Sequence, residues 1–311
     1  MPKFATAAVV LLCLARTAAA QDVTVTLSVE KTGVVIGEDV NAEVTVTNAT
    51  DKTLDLAELL LEDRSLSFEI SFEAAPGKPK TFTFSALRPD PHAAERLAPA
   101  RLALKGRKSL ATVIRIPALR AGTLTLTAIY KGGEKEAKSP PLGLKVAAGA
   151  DGAGRLAALV STSQGDFQID LLPEEAPLGV SHFVTLARRG FYNGMNVQMI
   201  VKNAWFKTGC PYDNGFGHPG YAYKSEAETQ TVAHEAGTVA LCQNLKSGYA
   251  GSQFFVNAVR QQAFDKKFTV IGRIAKLETV VKIAGLETDK GTDRPLKDDI
   301  RIKEIKIIGV K

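Results

Sequence analysis

From Asp22 to about Ala148 apolar and polar residues alternate. Val23, Val25, Leu27 and Val29 are separated by polar residues, and the same period recurs at Val40, Ala42, Val44 and Val46 and at Leu124, Leu126 and Ala128. A period of two places the apolar side chains on one face of a half-buried strand. Turn-forming residues fall between the runs, at Thr32-Gly33, Gly37-Glu38-Asp39, Asn48 to Lys52, Pro76 to Pro79 and Gly132-Gly133. Several strands with regular turns and no convincing helix predict a β-sandwich over residues 22–148. Pro89 to Arg96 and Ala98 to Lys108 read as an irregular insertion, with a helical turn at Ala93 to Leu97. Residues 149–154 hold three glycines and carry no packing face, which predicts a flexible joint.

Beyond the joint the pattern changes. Ala157 to Leu172 alternates as strands about a Gln164-Gly165-Asp166 turn. Pro173 to Arg189 predicts a helix with Val180, Phe183, Val184 and Ala187 on one face. Pro173 and the two glutamates after it suit a first turn, where a missing amide is harmless and the dipole favours negative charge. Arg188-Arg189-Gly190 suits the other end. A second helix is predicted at Leu277 to Leu286, burying Val280, Val281, Ile283 and Ala284, before a final alternating strand at Ile300 to Ile308.

Composition changes this picture at the N-terminus. Lys3, the apolar run Phe4 to Ala15 and the small residues Ala18-Ala19-Ala20 describe a secretory signal peptide over residues 1–20. The run is too short to span a bilayer, so no membrane-spanning segment is predicted and the mature chain is expected to be exported, periplasmic or secreted. Removing residues 1–20 takes away Lys3 and Arg16, which lowers the formal charge from +6 to +4. A balance that mild, spread along the chain, argues against nucleic acid as a partner. Cys210 and Cys242 fit no zinc spacing, and the reading leaves a disulfide or two free thiols open. His92, His182, His218 and His234 show no ligand spacing, so no metal site or cofactor is expected. GFGHPG at residues 215–220 matches the dinucleotide-binding fingerprint only by letter, because a proline interrupts it and no helix starts there.

Three segments carry a resemblance. GFYNG (190–194), GFGHPGYAYKSE (215–226) and GTVALCQNLKSGYAGSQFFVNA (237–258) resemble, in order and spacing, the cyclophilin-type peptidyl-prolyl isomerases. The resemblance implies an eight-stranded antiparallel β-barrel capped by two helices over residues 155–311. The N-terminal segment NAEVTVTNATDKTLDL similarly resembles bacterial immunoglobulin-like sandwich domains. The chain is thus expected to be mainly β.

The resemblance departs at one strand. NVQMIVKNAWFKTGCP stands where the family reads FHRVIPxFMIQGGDP, so the catalytic arginine falls on Met199 and its neighbouring histidine on Gln198. Rotation about a peptide bond faces a barrier of roughly 18–20 kcal/mol from amide resonance. An isomerase lowers it by holding the proline ring in an apolar pocket and aiming a donor at the prolyl nitrogen, which favours the twisted state. By resemblance, Gln253 matches the glutamine that holds substrate backbone, Phe255 the aromatic floor of the pocket, and Phe264 an apolar wall. Trp205 falls on the pocket methionine and Ala204 on a second phenylalanine. Cys242 and Gln243 replace the small residue and asparagine that line the groove, and Ala263 and Phe268 replace further rings. Lys207 stands for a glutamine that steadies the arginine, as a possible surrogate cation.

Methionine has no hydrogen-bond donor. The expectation is an exported cyclophilin-like protein that binds proline-containing peptides or unfolded exported proteins and has weak or silent isomerase activity. The alternative is a non-catalytic scaffold of the cell envelope, with the N-terminal sandwich holding a protein partner.

Overall fold

The structure is a computed structural model and describes residues 22–57, 66–72, 80–82, 101–132, 135–149, 152–219, 222–246, 248–296 and 300–311. The signal segment and the predicted helical turn at Ala93 to Leu97 lie outside the described residues.

Among the described residues the N-terminal half consists of strands and the turns between them. Its elements are β1 (Val23–Val29), β2 (Gly33–Val35), β3 (Asp39–Asn48), β4 (Leu54–Ala57), β5 (Leu66–Phe72), β6 (Lys80–Phe82), β7 (Arg101–Leu104), β8 (Ser109–Pro117), β9 (Gly122–Gly132), β10 (Lys135–Lys138) and β11 (Leu142–Ala147). One sheet runs β1-β3-β8, a second runs β2-β11-β9-β5-β6 with β10 beside β9, and β4 pairs with β7. The alternation in sequence is the alternation in space. Val40, Ala42, Val44 and Val46 on β3 are buried, as are Leu124, Leu126 and Ala128 on β9, and both sets share one core. The part of the expected insertion at residues 101–104 is strand β7.

The second half adds β12 (Arg155–Thr162), β13 (Gly165–Leu171), α1 (Pro177–Arg188), β14 (Val197–Val201), β15 (Trp205–Thr208), β16 (Tyr223–Lys224), β17 (Thr238–Gln243), β18 (Tyr249–Asn257), β19 (Thr269–Arg273), α2 (Glu278–Ala284) and β20 (Ile302–Val310). Eight strands form one curled antiparallel sheet in the order β14-β15-β18-β17-β19-β13-β12-β20, with β16 paired to β18. Its two edges are stitched together by an Asn196–Arg301 bridge and by the Val197 N–H donating to the Ile300 carbonyl, 2.7 Å. Phe206, Phe254, Val256, Leu241 and Ile271 fill the inner face beneath α1 and α2.

Helix α1 starts at Pro177, four residues after the expected proline. Its first amides are not served by the neighbouring glutamates. Glu226, 4% exposed, reaches in from a distant loop and accepts from the Leu178 and Gly179 N–H groups at 3.0 and 2.8 Å. A carboxylate there meets both the orphan donors and the positive end of the dipole. Helix α2 has only seven residues, and Val281, expected to be buried, is 52% exposed.

The joint between the halves is tied down at its described residues. The Gly154 N–H donates to the Val310 carbonyl and the Gly154 carbonyl accepts from Ala121, both at 3.0 Å. Arg120 pairs with Glu174 at 2.9 Å, and Arg188 of α1 donates to the Gly37 carbonyl. Among the described residues no helix is long and apolar enough to cross a membrane.

Candidate binding groove

The rewritten strand pair lies on the outer face of the curled sheet. Residues directly opposite in adjacent strands share a face. Met199 on β14 pairs with Lys207 on β15, Lys207 with Phe255 on β18, Phe255 with Ala240 on β17, and Ala240 with Val270 on β19. One row therefore carries the arginine position, the candidate surrogate cation and the aromatic floor. Ala240, Phe255 and Val270 form a second apolar cluster, separate from the core, with Leu172, Trp205, Val232, Cys242, Phe264 and Phe268 packed against it.

The apolar end is crowded with rings. Phe255, Phe264 and Phe268 make a triangle with centroids 5.2 to 5.3 Å apart and planes near perpendicular. Trp205 lies 5.9 Å from Phe255 and 6.0 Å from Phe264. Such edge-to-face contacts contribute about 0.5–1.5 kcal/mol each beyond area burial. They leave Phe255 only 3% exposed. Trp205 occupies the space beside Ala204, which sits in the β14–β15 turn and accepts from the Ala258 N–H through its carbonyl. Ala263 is exposed on a 3-10 turn at Gln262–Phe264 and contributes no ring.

The polar end is tied up internally. The Gln253 amide nitrogen donates to the Gly215 and Gly217 carbonyls at 2.9 and 2.8 Å. Carbonyls only accept, so this amide has one orientation, and its oxygen faces Gln198, which donates to it at 2.9 Å. Both donors of the glutamine expected to hold substrate are thus engaged with the glycine-rich loop. That loop turns at Gly209, where φ is +87° and a Cβ would lie 2.6 Å from the Ser252 carbonyl oxygen, so no other residue fits. Phe216, between the two glycines, is 88% exposed.

Lys207 is half-buried, its ammonium 3.6 Å from where a side chain on Gly215 would begin. It faces Cys242, whose pKa burial pushes up to about 12 against the opposing pull of the lysine charge. Cys242 is therefore a thiol at neutral pH, an apolar wall and not a nucleophile. Cys210 and Cys242 are both free, so the open alternative resolves to two thiols. Cys210 accepts from the Gly217 N–H and helps fold the same loop. Gln243 pairs with Ala250 and holds a buried side-chain oxygen with no partner. Among the described residues no cluster of histidine, cysteine or acidic side chains has the geometry to hold a metal.

Two features were missed in the sequence. The Gln198–Gln253 bond joins residues 55 apart, and His234 stacks beneath Phe255 with centroids 5.8 Å apart and planes 14° from parallel. Only the fold brings these together.

The fold is a curled eight-stranded sheet with two helices, and one outer row of residues crosses β14, β15, β18 and β17. The family described as "Cyclophilin type peptidyl-prolyl cis-trans isomerase/CLD" matches residues 157–307. The chain is 36% identical over 121 residues to a peptidyl-prolyl cis-trans isomerase of Helicobacter pylori strain 26695, covering 39% of this chain and 74% of that protein. It is 32% identical over 149 residues to a peptidyl-prolyl cis-trans isomerase-like 1 of Aspergillus oryzae, covering 47% of this chain and 92% of that protein. Among solved structures, a Cryptosporidium parvum cyclophilin-type isomerase aligns over 50% of this chain and 98% of its own, at 20% identity and a TM-score of 0.47. The chain belongs to the cyclophilin-type peptidyl-prolyl isomerase family.

Proposed function

We propose that the groove binds proline-containing segments of exported polypeptides and isomerises them weakly or not at all. The observation that carries this reading is the row Met199–Lys207–Phe255: the position that would aim a donor over the aromatic floor holds a thioether. Loss of one preorganised donor lowers a rate on the order of 100- to 1000-fold. Lys207 is the cation on that row, but an ammonium on a flexible stem lacks the rigid fork of a guanidinium and positions a proton donor less well. The family membership supports a proline ligand, and the basic start with its apolar run supports export.

A second reading is a non-catalytic envelope scaffold, with the N-terminal half as an immunoglobulin-like module that docks a partner. What favours it is the ring triangle that leaves Phe255 almost no exposed surface. The sole tryptophan, Trp205, sits against that triangle and reports on the groove. Titrating the full chain with an Ala-Ala-Pro-Phe tetrapeptide should change Trp205 emission saturably, while Ala-Ala-Ala-Phe should not. Identical, flat titrations would remove the proline-binding reading and leave the scaffold.

A further inference from the structure

Beneath the apolar end lies a histidine that the groove chemistry does not use. His234 is fully buried, and each of its contacts has a direction. Its Nε2 lies 3.2 Å from the Phe268 carbonyl oxygen. A carbonyl only accepts, so Nε2 carries the hydrogen and Nδ1 is the bare acceptor. Nδ1 lies 3.3 Å from the amide nitrogen of Asn257, which also donates to the Thr238 hydroxyl at 2.9 Å. That hydroxyl gives its own hydrogen to the Glu235 carbonyl. The Asn257 amide is therefore fixed with its nitrogen toward the ring, and its oxygen is buried with no partner.

We propose that His234 and Asn257 form a proton-sensitive pin under the groove, holding Phe255 and Phe268 in place while the imidazole is neutral and loosening them when it takes a proton. A proton on Nδ1 would set two donors face to face inside the protein. Half a turn of the Asn257 amide brings its unpartnered oxygen round to accept from Nδ1–H, and the Thr238 hydroxyl then turns from the Glu235 carbonyl to donate to the same oxygen. The carbonyl of Phe268 and the ring of Phe255 both bear on His234, and Asn257 is the cross-strand partner of Trp205, so the swing occurs within the ring cluster. The charged neighbours meet His234 at its backbone. Asp265 accepts from its N–H at 2.9 Å, and Arg260 donates to its carbonyl at 3.4 Å. Arg260 also pairs with both Asp265 and Glu235, which leaves no carboxylate dedicated to the ring. Burial accordingly holds His234 below the usual histidine range, only partly offset by the Phe268 bond and by Asp265. The groove is set to be closed-packed near neutral pH and to change on mild acidification.

The test needs no ligand. Trp205 emission of the full chain is followed from pH 8 to pH 4.5, with far-UV circular dichroism recorded at each point. A sigmoidal change with a midpoint below about 6.5, at constant far-UV signal, is expected. It should vanish in His234→Gln. In Asn257→Asp a carboxylate faces Nδ1, and the midpoint should rise by roughly one to three pH units. Flat wild-type emission would overturn the proposal, as would a transition that persists in His234→Gln or an Asn257→Asp midpoint that does not move. If His234→Gln fails to fold, the wild-type and Asn257→Asp curves still decide. The link to function rests on the peptide-binding reading. Affinity for Ala-Ala-Pro-Phe should fall across the wild-type midpoint, whereas absence of any peptide binding would sink that reading and leave the emission curve standing.

Discussion

The two ends of the groove are built from different materials. The apolar end is a set of rings held by one another: Phe255, Phe264, Phe268 and Trp205 touch edge to face, with His234 stacked below. The polar end is a set of hydrogen bonds that close on themselves, from Gln198 through Gln253 to the glycine loop. The apolar end is where the proposed function places the proline ring. The polar end retains a glutamine whose donors face its own loop, and Met199 offers none. On the proposed function, recognition of a ring and catalysis on the bond beside it would rest on separable residues, the first on the packed rings and the second on position 199.

The largest effect is expected at the rings. Phe255→Ala should destabilise the folded chain by about 3–5 kcal/mol, because the centre of a packed cluster leaves a cavity that its neighbours cannot fill. Urea denaturation measures it. A loss below about 1 kcal/mol would mean the rings are a loose surface and not a packed end. Gln253→Ala should come next, at about 1–3 kcal/mol, since the Gly215 and Gly217 carbonyls and the Gln198 amide all lose a partner. Hydrogen exchange should quicken around residues 209–217 while β17 stays protected. Equal quickening in both would show that the polar end is not a separate unit. Lys207→Ala should be smallest for folding, within about 0.5 kcal/mol. Its value lies in activity: if any measured isomerisation survives it unchanged, Lys207 is not standing in for the arginine.

Much of this was legible in the chain. The period-two runs on β3 and β9 are the buried rows, and the Met199–Lys207 pairing follows from strand alternation about a short turn. The start of α1 was not, because Pro173 and Pro177 carry the same local signal and the deciding cap, Glu226, comes from 48 residues away. Val281 reads as buried among its neighbours, but at about 100° per residue it falls off the stripe formed by Val280, Ile283 and Ala284 and faces outward. In the groove, residue types could be placed by strand position, but the direction of Gln253's amide could not, since it is set by two carbonyls on another loop. His234 was invisible for the same reason: its meaning lies in Phe255, Phe268 and Asn257, which only the fold assembles.

Met199 supplies no hydrogen-bond donor to the groove. The direct measurement is a protease-coupled assay of prolyl isomerisation on the full chain and on Met199→Arg, at matched concentrations. The wild type should run close to the uncatalysed rate, and the arginine should raise kcat/KM on the order of 100-fold. Equal, substantial rates in both would contradict this expectation and would place the donor elsewhere in the groove.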